Sequence, residues 1–137
     1  MTINENNILH NIYMSGDKNN AMYKLTLNTF KSLDDFKICC KVSIIECMNS
    51  AHVQKLTKCM KACLEAIEAI DLCQYFIASK SNNMKKCITF VSSVVKTCIK
   101  ECEKATFDKH LLKINKSTTA RAGSVFLTNL QKVKAKA

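Results

Sequence analysis

The sequence of 137 residues predicts an all-α fold, an antiparallel up-down four-helix bundle with an extra N-terminal segment. The chain has no proline and only two glycines, which leaves little of the turn chemistry that β-hairpins require. Hydrophobic residues make up 47% of the chain, enough to bury a core without disulfide support. From Ala21 onward, apolar residues recur three or four positions apart, as they do on one face of a helix.

The N-terminal part differs in composition from the rest. Residues 1–20 are rich in asparagine and contain the sequence SGD, so we expect a tail or short extra helix before a single bundle domain over 21–137. Ser32 and Asp35 have the spacing of a capping box. They indicate either a new helix from residue 32 or a bend within a longer helix that begins near residue 20. The first bundle helix then ends near Ser50, at the corner sequence NSAH.

Three further helices are expected. A second periodic segment covers about 53–79, and the polar sequence SKSNN follows it, where Ser81 or Asn82 can cap a third helix. Asp108 can cap a fourth helix that reaches about Lys132. Short corners between helices of this length favour the antiparallel bundle.

The charge of the chain and its lack of long apolar segments indicate which partners and which cellular location to expect. The formal charge of +10 comes from twenty lysines and one arginine against eleven acidic residues. Proteins that bind nucleic acid usually combine positive charge with several arginine side chains, with aromatic side chains that stack on bases, or with a recognisable motif. The sequence shows none of these, so binding to nucleic acid is not expected. A basic helix such as 112–136 fits an acidic protein partner instead. The first residues lack the basic segment and the following apolar segment of a signal peptide, and the sequence has no apolar run long enough to span a membrane. We therefore expect a cytoplasmic protein without membrane contact.

The cysteines carry the strongest signal. Eight of the nine fall on the stripe that each of the first three helices turns inward: Cys40, Cys47, Cys59, Cys63, Cys73, Cys87, Cys98 and Cys102. Cys39 points elsewhere. One buried cysteine is ordinary packing, but alanine, valine or leucine would fill eight such positions without the risk of oxidation. In a reducing cytoplasm these residues are expected as thiols or metal thiolates, and the pattern predicts metal binding.

The spacing indicates which metal. Two cysteines four apart on a helix, as in the pairs 59/63 and 98/102, can hold one ion between two thiolates. This arrangement suits Cu(I), the first choice, because it is a soft ion that prefers thiolate and thioether ligands. Structural zinc, the second choice, needs four converging ligands. The C-x2-C spacing common in iron–sulfur proteins does not occur.

Three runs also carry a resemblance to a known family. The sequences CMNSAHVQKLTKC (47–59), KSNNMKKC (80–87) and CIKEC (98–102) resemble the cysteine-rich four-helix-bundle copper storage proteins, over about residues 36–110. In that family, thiolates line a tube inside the bundle that holds many Cu(I) ions. The resemblance implies cytosolic Cu(I) binding and a homo-oligomer, a tetramer.

The chain departs from that family in its number of thiols. Positions where the family tends to place further cysteines are apolar here, among them Ala66, Ile70, Val91 and Val94, and the helix over 110–130 contains no cysteine. With two thiols for each ion, eight inward thiols would hold about four Cu(I). We therefore expect a reduced capacity and no continuous metal-filled core.

The up-down topology predicts where other donors lie. The end of the first helix meets the start of the second, and the end of the third meets the start of the fourth. The donors expected at that end are Cys47, Met48, His52, Cys59, Met60, Cys98, Cys102 and His110. Such donors would form a copper entrance, and the resemblance implies that histidine takes part in loading; the methionines can equally fill the core and the histidines can be solvated. Cys73 and Cys87 are expected at the opposite end as an inter-helix pair.

Two other functions were weighed against metal binding. Catalysis by a cysteine nucleophile is not expected, because the sequence has no glycine-rich oxyanion turn and no third orienting residue. The alternative is a bundle that has largely lost its metal function and acts as an oligomeric or partner-binding module. Thiols that face thiols across helices would support metal binding, whereas thiols that face leucine, valine or phenylalanine would be relics.

Overall fold

The computed structural model describes residues 20–105 and 115–137 and confirms the all-α fold. Its elements are α1 (Asn20–Met48), a 3₁₀ helix (Val53–Leu56), α2 (Thr57–Ala78), α3 (Met84–Lys104) and α4 (Asn115–Lys136). None of these helices is long and apolar enough to cross a membrane. The expected N-terminal tail and the cap at Asp108 lie outside the described residues.

The four helices form a ring in which each packs against its neighbours in sequence and α1 also packs against α4. Helices α1 and α4 are antiparallel, as two side-chain contacts between them show. The Ser32 hydroxyl accepts a hydrogen bond from the Asn129 amide at 3.0 Å, and Ser43 lies 3.1 Å from Thr119 between hydroxyl oxygens. Residue numbers therefore rise along one helix as they fall along the other, as the predicted antiparallel bundle requires.

Helix α1 is continuous through the predicted capping box. The Ser32 hydroxyl donates to the Thr29 carbonyl oxygen at 2.8 Å, inside the helix, and no new helix begins there. Thr29 itself donates to the Leu25 carbonyl oxygen one turn earlier. Small hydroxyl side chains that bond back to the preceding turn are compatible with a helix interior, which explains why the cap pattern does not interrupt this helix.

The corner between α2 and α3 has a form that the sequence did not predict. Lys80 adopts a positive φ of 52°, its amide donates to the Ile77 carbonyl, and the Ser81 amide donates to the Phe76 carbonyl. These two bonds form a Schellman motif, in which glycine is the usual residue at the left-handed position. The N-cap of α3 is Asn83 and not Ser81 or Asn82, because this extended stop moves the start of α3 along the chain.

The inward stripes agree with the prediction except at a few positions. In α3 the buried valines are Val91 and Val95, whereas Val94 is half-buried, because the inward face continues four residues from Val91 and then three to Cys98. Helix α4 extends one turn beyond the predicted end at Lys132, and Val133 in that turn is buried.

Gly123 allows α4 to pack closely against its neighbours at the level of the cysteine-rich half. A Cβ atom at this position would lie 2.7 Å from Ile99 Cδ1 and 3.0 Å from Phe36 Cε1. The Phe36 ring also stacks on Phe126, with ring centroids 6.1 Å apart and an interplanar angle of 23°. The missing side chain therefore makes room for a contact between three helices.

This close packing predicts a strong dependence on side-chain size at position 123. Gly123→Val should lower the free energy of unfolding by about 2 kcal/mol through overpacking, although valine has the better helix propensity. The matched control is Ser124→Val at the exposed neighbouring position, which should change stability by less than about 0.5 kcal/mol. Urea denaturation measures both, and equal effects would contradict the packing role.

Candidate metal centre

All eight cysteines that were predicted to point inward are buried, and Cys39 is half-buried. Since a one-residue error in helix phase would turn a stripe away from the core, this agreement confirms the assigned helix faces. Burial alone does not distinguish metal ligands from packing, because cysteine is among the most frequently buried residues. Metal ligands must also lie close together, so the distances between the sulfurs bear on the question.

Five of the thiols form two groups of three at the centre of the bundle. Cys40, Cys63 and Cys98 form one trio, and Cys59, Cys63 and Cys102 form the other; within each trio, all Sγ atoms lie within 4.8 Å of one another. The trios share Cys63, and we call the five residues the sulfur cluster. It draws thiols from α1, α2 and α3, so three helices are needed to assemble it.

Individual sulfur–sulfur distances show how close the packing is. The Cys98 Sγ lies 3.6 Å from Cys63 and 3.9 Å from Cys40. The Cys102 Sγ lies 3.7 Å from Cys59 and 3.7 Å from Cys63. These thiols face thiols across helices and not leucine, valine or phenylalanine. The arrangement is the one expected of a metal-binding core.

The other three inward cysteines extend this arrangement. Cys47 interacts with Cys59 at the edge of the sulfur cluster. Cys73 interacts with Cys87 at the other end of α2 and α3, as an inter-helix pair. The buried residues between the cluster and this pair are apolar except for one serine: Ala66, Ala69, Ile70, Ile88, Val91, Ser92 and Val95. Two separate groups of thiols therefore occupy the core.

Mutual contact and burial favour the protonated form of three cluster thiols, those of Cys40, Cys59 and Cys98. The contact with Cys102 raises the pKa of both Cys98 and Cys59, and burial adds to the increase. The contact with Cys63 raises the pKa of Cys40, again with a contribution from burial. Without a metal, these thiols are therefore neutral, and the core is effectively apolar.

The pKa is also raised for Cys63, Cys73 and Cys87, whereas it is lowered for Cys47. Burial raises the pKa of Cys73 and Cys87. Contacts with Cys102 and Cys40 lower the pKa of Cys63, but its contacts with Cys59 and Cys98 together with burial raise it overall. The pKa of Cys47 is lowered, because the Cys59 thiol donates a hydrogen bond to its sulfur and stabilises the thiolate.

Two of the other predicted donors, Met48 and His52, lie on the surface. Met48 is 63% exposed at the end of α1, and His52 is exposed in the following corner. Met60 is half-buried against the core beside Cys59. His110 lies outside the described residues. The structure therefore brings the thiols together but leaves the nearby thioether and imidazole of Met48 and His52 on the surface.

Sequence reasoning missed two features of this centre. Cys40 and Cys63 were not assigned to the donor-rich end, yet Cys63 is the residue that both trios share. Lysines from the 3₁₀ helix, the start of α2 and the end of α3 line a small cavity beside Cys59, and no role was assigned to them from the sequence. Helix pairing creates both features, and no local sequence pattern reports it.

The family model described as Csp, copper storage protein, matches residues 26–122. This match covers most of α1, all of α2 and α3 and the first part of α4, and so includes all eight inward cysteines. No curated protein and no solved structure matches the chain.

The raised thiol pKa values predict that the reduced apoprotein loses stability in alkali. A buried thiol that stays protonated, while the unfolded chain ionises near pH 8.5, makes unfolding easier by about 1.4 kcal/mol for each further pH unit. The stabilising effect is complete below the unfolded pKa and is lost as pH rises toward the folded pKa. Urea denaturation under anaerobic reducing conditions, from about pH 8 to about pH 9.5, measures this slope.

A cysteine variant provides the control for that slope. Cys63→Ala with Cys98→Ala removes two thiols of raised pKa, so the loss of stability with pH should become shallower by about 2 to 3 kcal/mol per unit. The variant is expected to be less stable at every pH, and the slope alone carries the result. Parallel slopes for the two proteins would contradict the assigned protonation state.

Proposed function

The chain belongs to the copper storage protein family, and on that basis we propose that its core thiolates bind Cu(I) in the cytosol for storage or buffering. The observation that supports this most directly is the sulfur cluster, with its two buried trios of thiols that share Cys63. Buried thiols in mutual contact are ready ligands for a soft ion. No catalytic role is part of the proposal.

The grouping in threes favours Cu(I) over zinc. Within the part of the chain that the structure describes, no fourth cysteine, histidine or carboxylate completes either trio into a set of four. Structural zinc needs four ligands in tetrahedral geometry. An ion among three sulfurs at about 2.3 Å would hold them about 4 Å apart, close to the shortest separations within the cluster. Zinc remains the second choice.

The arrangement also supports an estimate of capacity. The two trios offer sites for two ions, Cys47 beside Cys59 extends the cluster by another, and Cys73 with Cys87 forms a separate pair. We propose that these eight cysteines hold about four Cu(I). Met48, His52, Met60 and His110 enter the proposal as outer donors that ions meet before the thiols.

The alternative function, a partner-binding module without metal, requires thiols isolated among aliphatic residues, and the sulfur contacts argue against it. The surface still fits interactions of a secondary kind. Helix α4 carries five basic residues and no carboxylate, which supports an acidic protein partner by charge complementarity. A homo-oligomer is proposed from the family resemblance.

An anaerobic titration with Cu(I) against a chromophoric chelator tests the function. The fully reduced protein should withhold about four equivalents from the chelator. Cys98→Ser with Cys102→Ser takes a ligand from each trio, so at least one ion should be lost while helicity by circular dichroism stays the same. Cys39→Ser, outside the cluster, is the control and should leave the stoichiometry unchanged. Full transfer of copper to the chelator would refute the proposal.

The affinity for copper should depend steeply on pH. Thiols of raised pKa must lose their protons to become ligands, so about four ions shared among eight thiols displace on average about two protons for each ion. The logarithm of the apparent affinity should fall by about two for each unit of pH lost between about pH 8 and pH 6. Competition titrations corrected for the protonation of the chelator measure this. An affinity that does not change with pH would mean that thiolates are not the ligands.

A further inference from the structure

A small cavity opens beside the sulfur cluster, where the 3₁₀ helix and α2 begin and α3 ends. Its volume is about 190 Å³, and we call it the basic mouth. It is lined by Lys55, Lys58, Cys59, Glu101, Lys104 and Ala105.

Cys59 connects the basic mouth to the rest of the cluster. Its Sγ lies 3.7 Å from that of Cys102, which in turn lies 3.7 Å from Cys63. Cys63 is 3.6 Å from Cys98. A series of sulfurs, each within 4 Å of the next, therefore leads from the cavity into the centre of the bundle. An ion can move along such a series by exchanging one thiolate at a time.

The charge of the basic mouth is opposite to what a bare cation requires. Three lysines line it against one carboxylate, and that carboxylate is 3.6 Å from the Lys104 ammonium. Unpaired Cu⁺ approaching Cys59 would meet a positive potential, which lowers its local concentration. The sulfur cluster would bind a cation, yet the cavity that leads to it is positively charged. The chemical form in which Cu(I) arrives can explain this.

The form that resolves this conflict is an anionic complex. Cu(I) held by two thiolates carries a net charge of −1, and carboxylates or sulfonates on the carrier make it more negative. We propose that the basic mouth receives Cu(I) as an anionic bis-thiolate complex of a small acidic thiol and that Cys59 is the first cysteine to take the ion. This inference rests on the proposed function and adds the class of copper donor.

The transfer is a pair of ligand exchanges without any change of oxidation state. In the first, a Cu–S bond to Cys59 forms, a Cu–S bond to one carrier thiolate breaks, and that thiolate leaves with the proton of the Cys59 thiol. In the second, Cys102 replaces the other carrier thiolate in the same way. Two carrier thiols are released for each Cu(I), and the ion finishes between Cys59 and Cys102 with the charge of −1 conserved.

Three small thiol donors whose terminal groups differ in charge test the proposal. Apoprotein is mixed anaerobically with Cu(I) in an excess of 2-mercaptoethanesulfonate, 2-mercaptoethanol or 2-aminoethanethiol, which end in an anion, a neutral hydroxyl and a cation. Thiolate-to-copper absorbance follows loading by stopped flow. The rate from the sulfonate should exceed the rate from the ammonium thiol by about tenfold at low ionic strength, and salt should reduce the difference.

Charge variants separate steering by the basic mouth from the intrinsic reactivity of the donors. Lys58→Gln with Lys104→Gln should reduce the ratio of the sulfonate rate to the hydroxyl rate several-fold. The control, Lys85→Gln with Lys96→Gln, loses the same charge from exposed positions of α3 that do not line the mouth, and should keep the ratio of the unmodified protein. Because the same two donors are used on each protein, differences in donor chemistry cancel when the ratio for a variant is compared with the ratio for the unmodified protein.

A pair of cysteine variants tests the role of Cys59. Cys59→Ala and Cys40→Ala each remove one ligand from one trio. Loading from the sulfonate should be slower for Cys59→Ala, whereas Cys40→Ala should load at the rate of the unmodified protein to a lower endpoint. Equal rates for the two variants would overturn the assignment of Cys59.

The final amount of bound copper tests the proposed function, and the rate of loading tests the proposed role of the basic mouth. Copper bound to the same final amount from all three donors, at rates that are unaffected by donor charge and by the lysine substitutions, would refute the basic mouth and leave the proposed function standing. No copper bound from any donor would refute both. Faster loading from the anionic donor, lost in the mouth variant and kept in the control, supports the inference.

Discussion

Contact between thiols of α1, α2 and α3 is the interaction on which the arrangement of the bundle depends. Sulfurs of different helices reach 3.6 to 3.9 Å of one another only when the helix backbones approach closely, and cysteine is small enough to permit this. Between α1 and α4, by contrast, the large ring of Phe36 stacks on that of Phe126. Helix α4 closes the core through the absence of a side chain at Gly123 and contributes no sulfur.

The same contacts affect the free energy of folding of the apoprotein through the protonation state of its thiols. Eight ionised thiols in one core would repel one another and would each lose their hydration, so a core of thiolates without metal is not viable. Raised pKa values of Cys40, Cys59 and Cys98 avoid this cost by keeping the thiols neutral. On the proposed function, each ion then replaces protons at positions that are already close together, and the helices need little rearrangement.

Local and long-range features were not equally predictable. The inward phase of the cysteines in each helix follows from spacing alone, since residues three and four apart share a face, and all eight are buried as expected. The trios are different, because Cys40 meets Cys98 through the register of two helices that are not consecutive in the chain. The stop at Lys80 was also hidden, because a lysine occupies the left-handed position where glycine is the usual signal.

The apolar segment between the two groups of thiols limits how copper would be distributed. Ile70, Val91 and Val95 separate the sulfur cluster from the pair Cys73 and Cys87, and all three are fully buried. An ion that crossed this segment would have to give up thiolate ligands in surroundings of low dielectric constant, where an unpaired charge is very costly. The energetic cost of an ion without thiolate ligands would therefore prevent copper from passing along the core between the two groups of thiols. On the proposed function, the cluster and the pair would fill and empty independently, from opposite ends of one bundle.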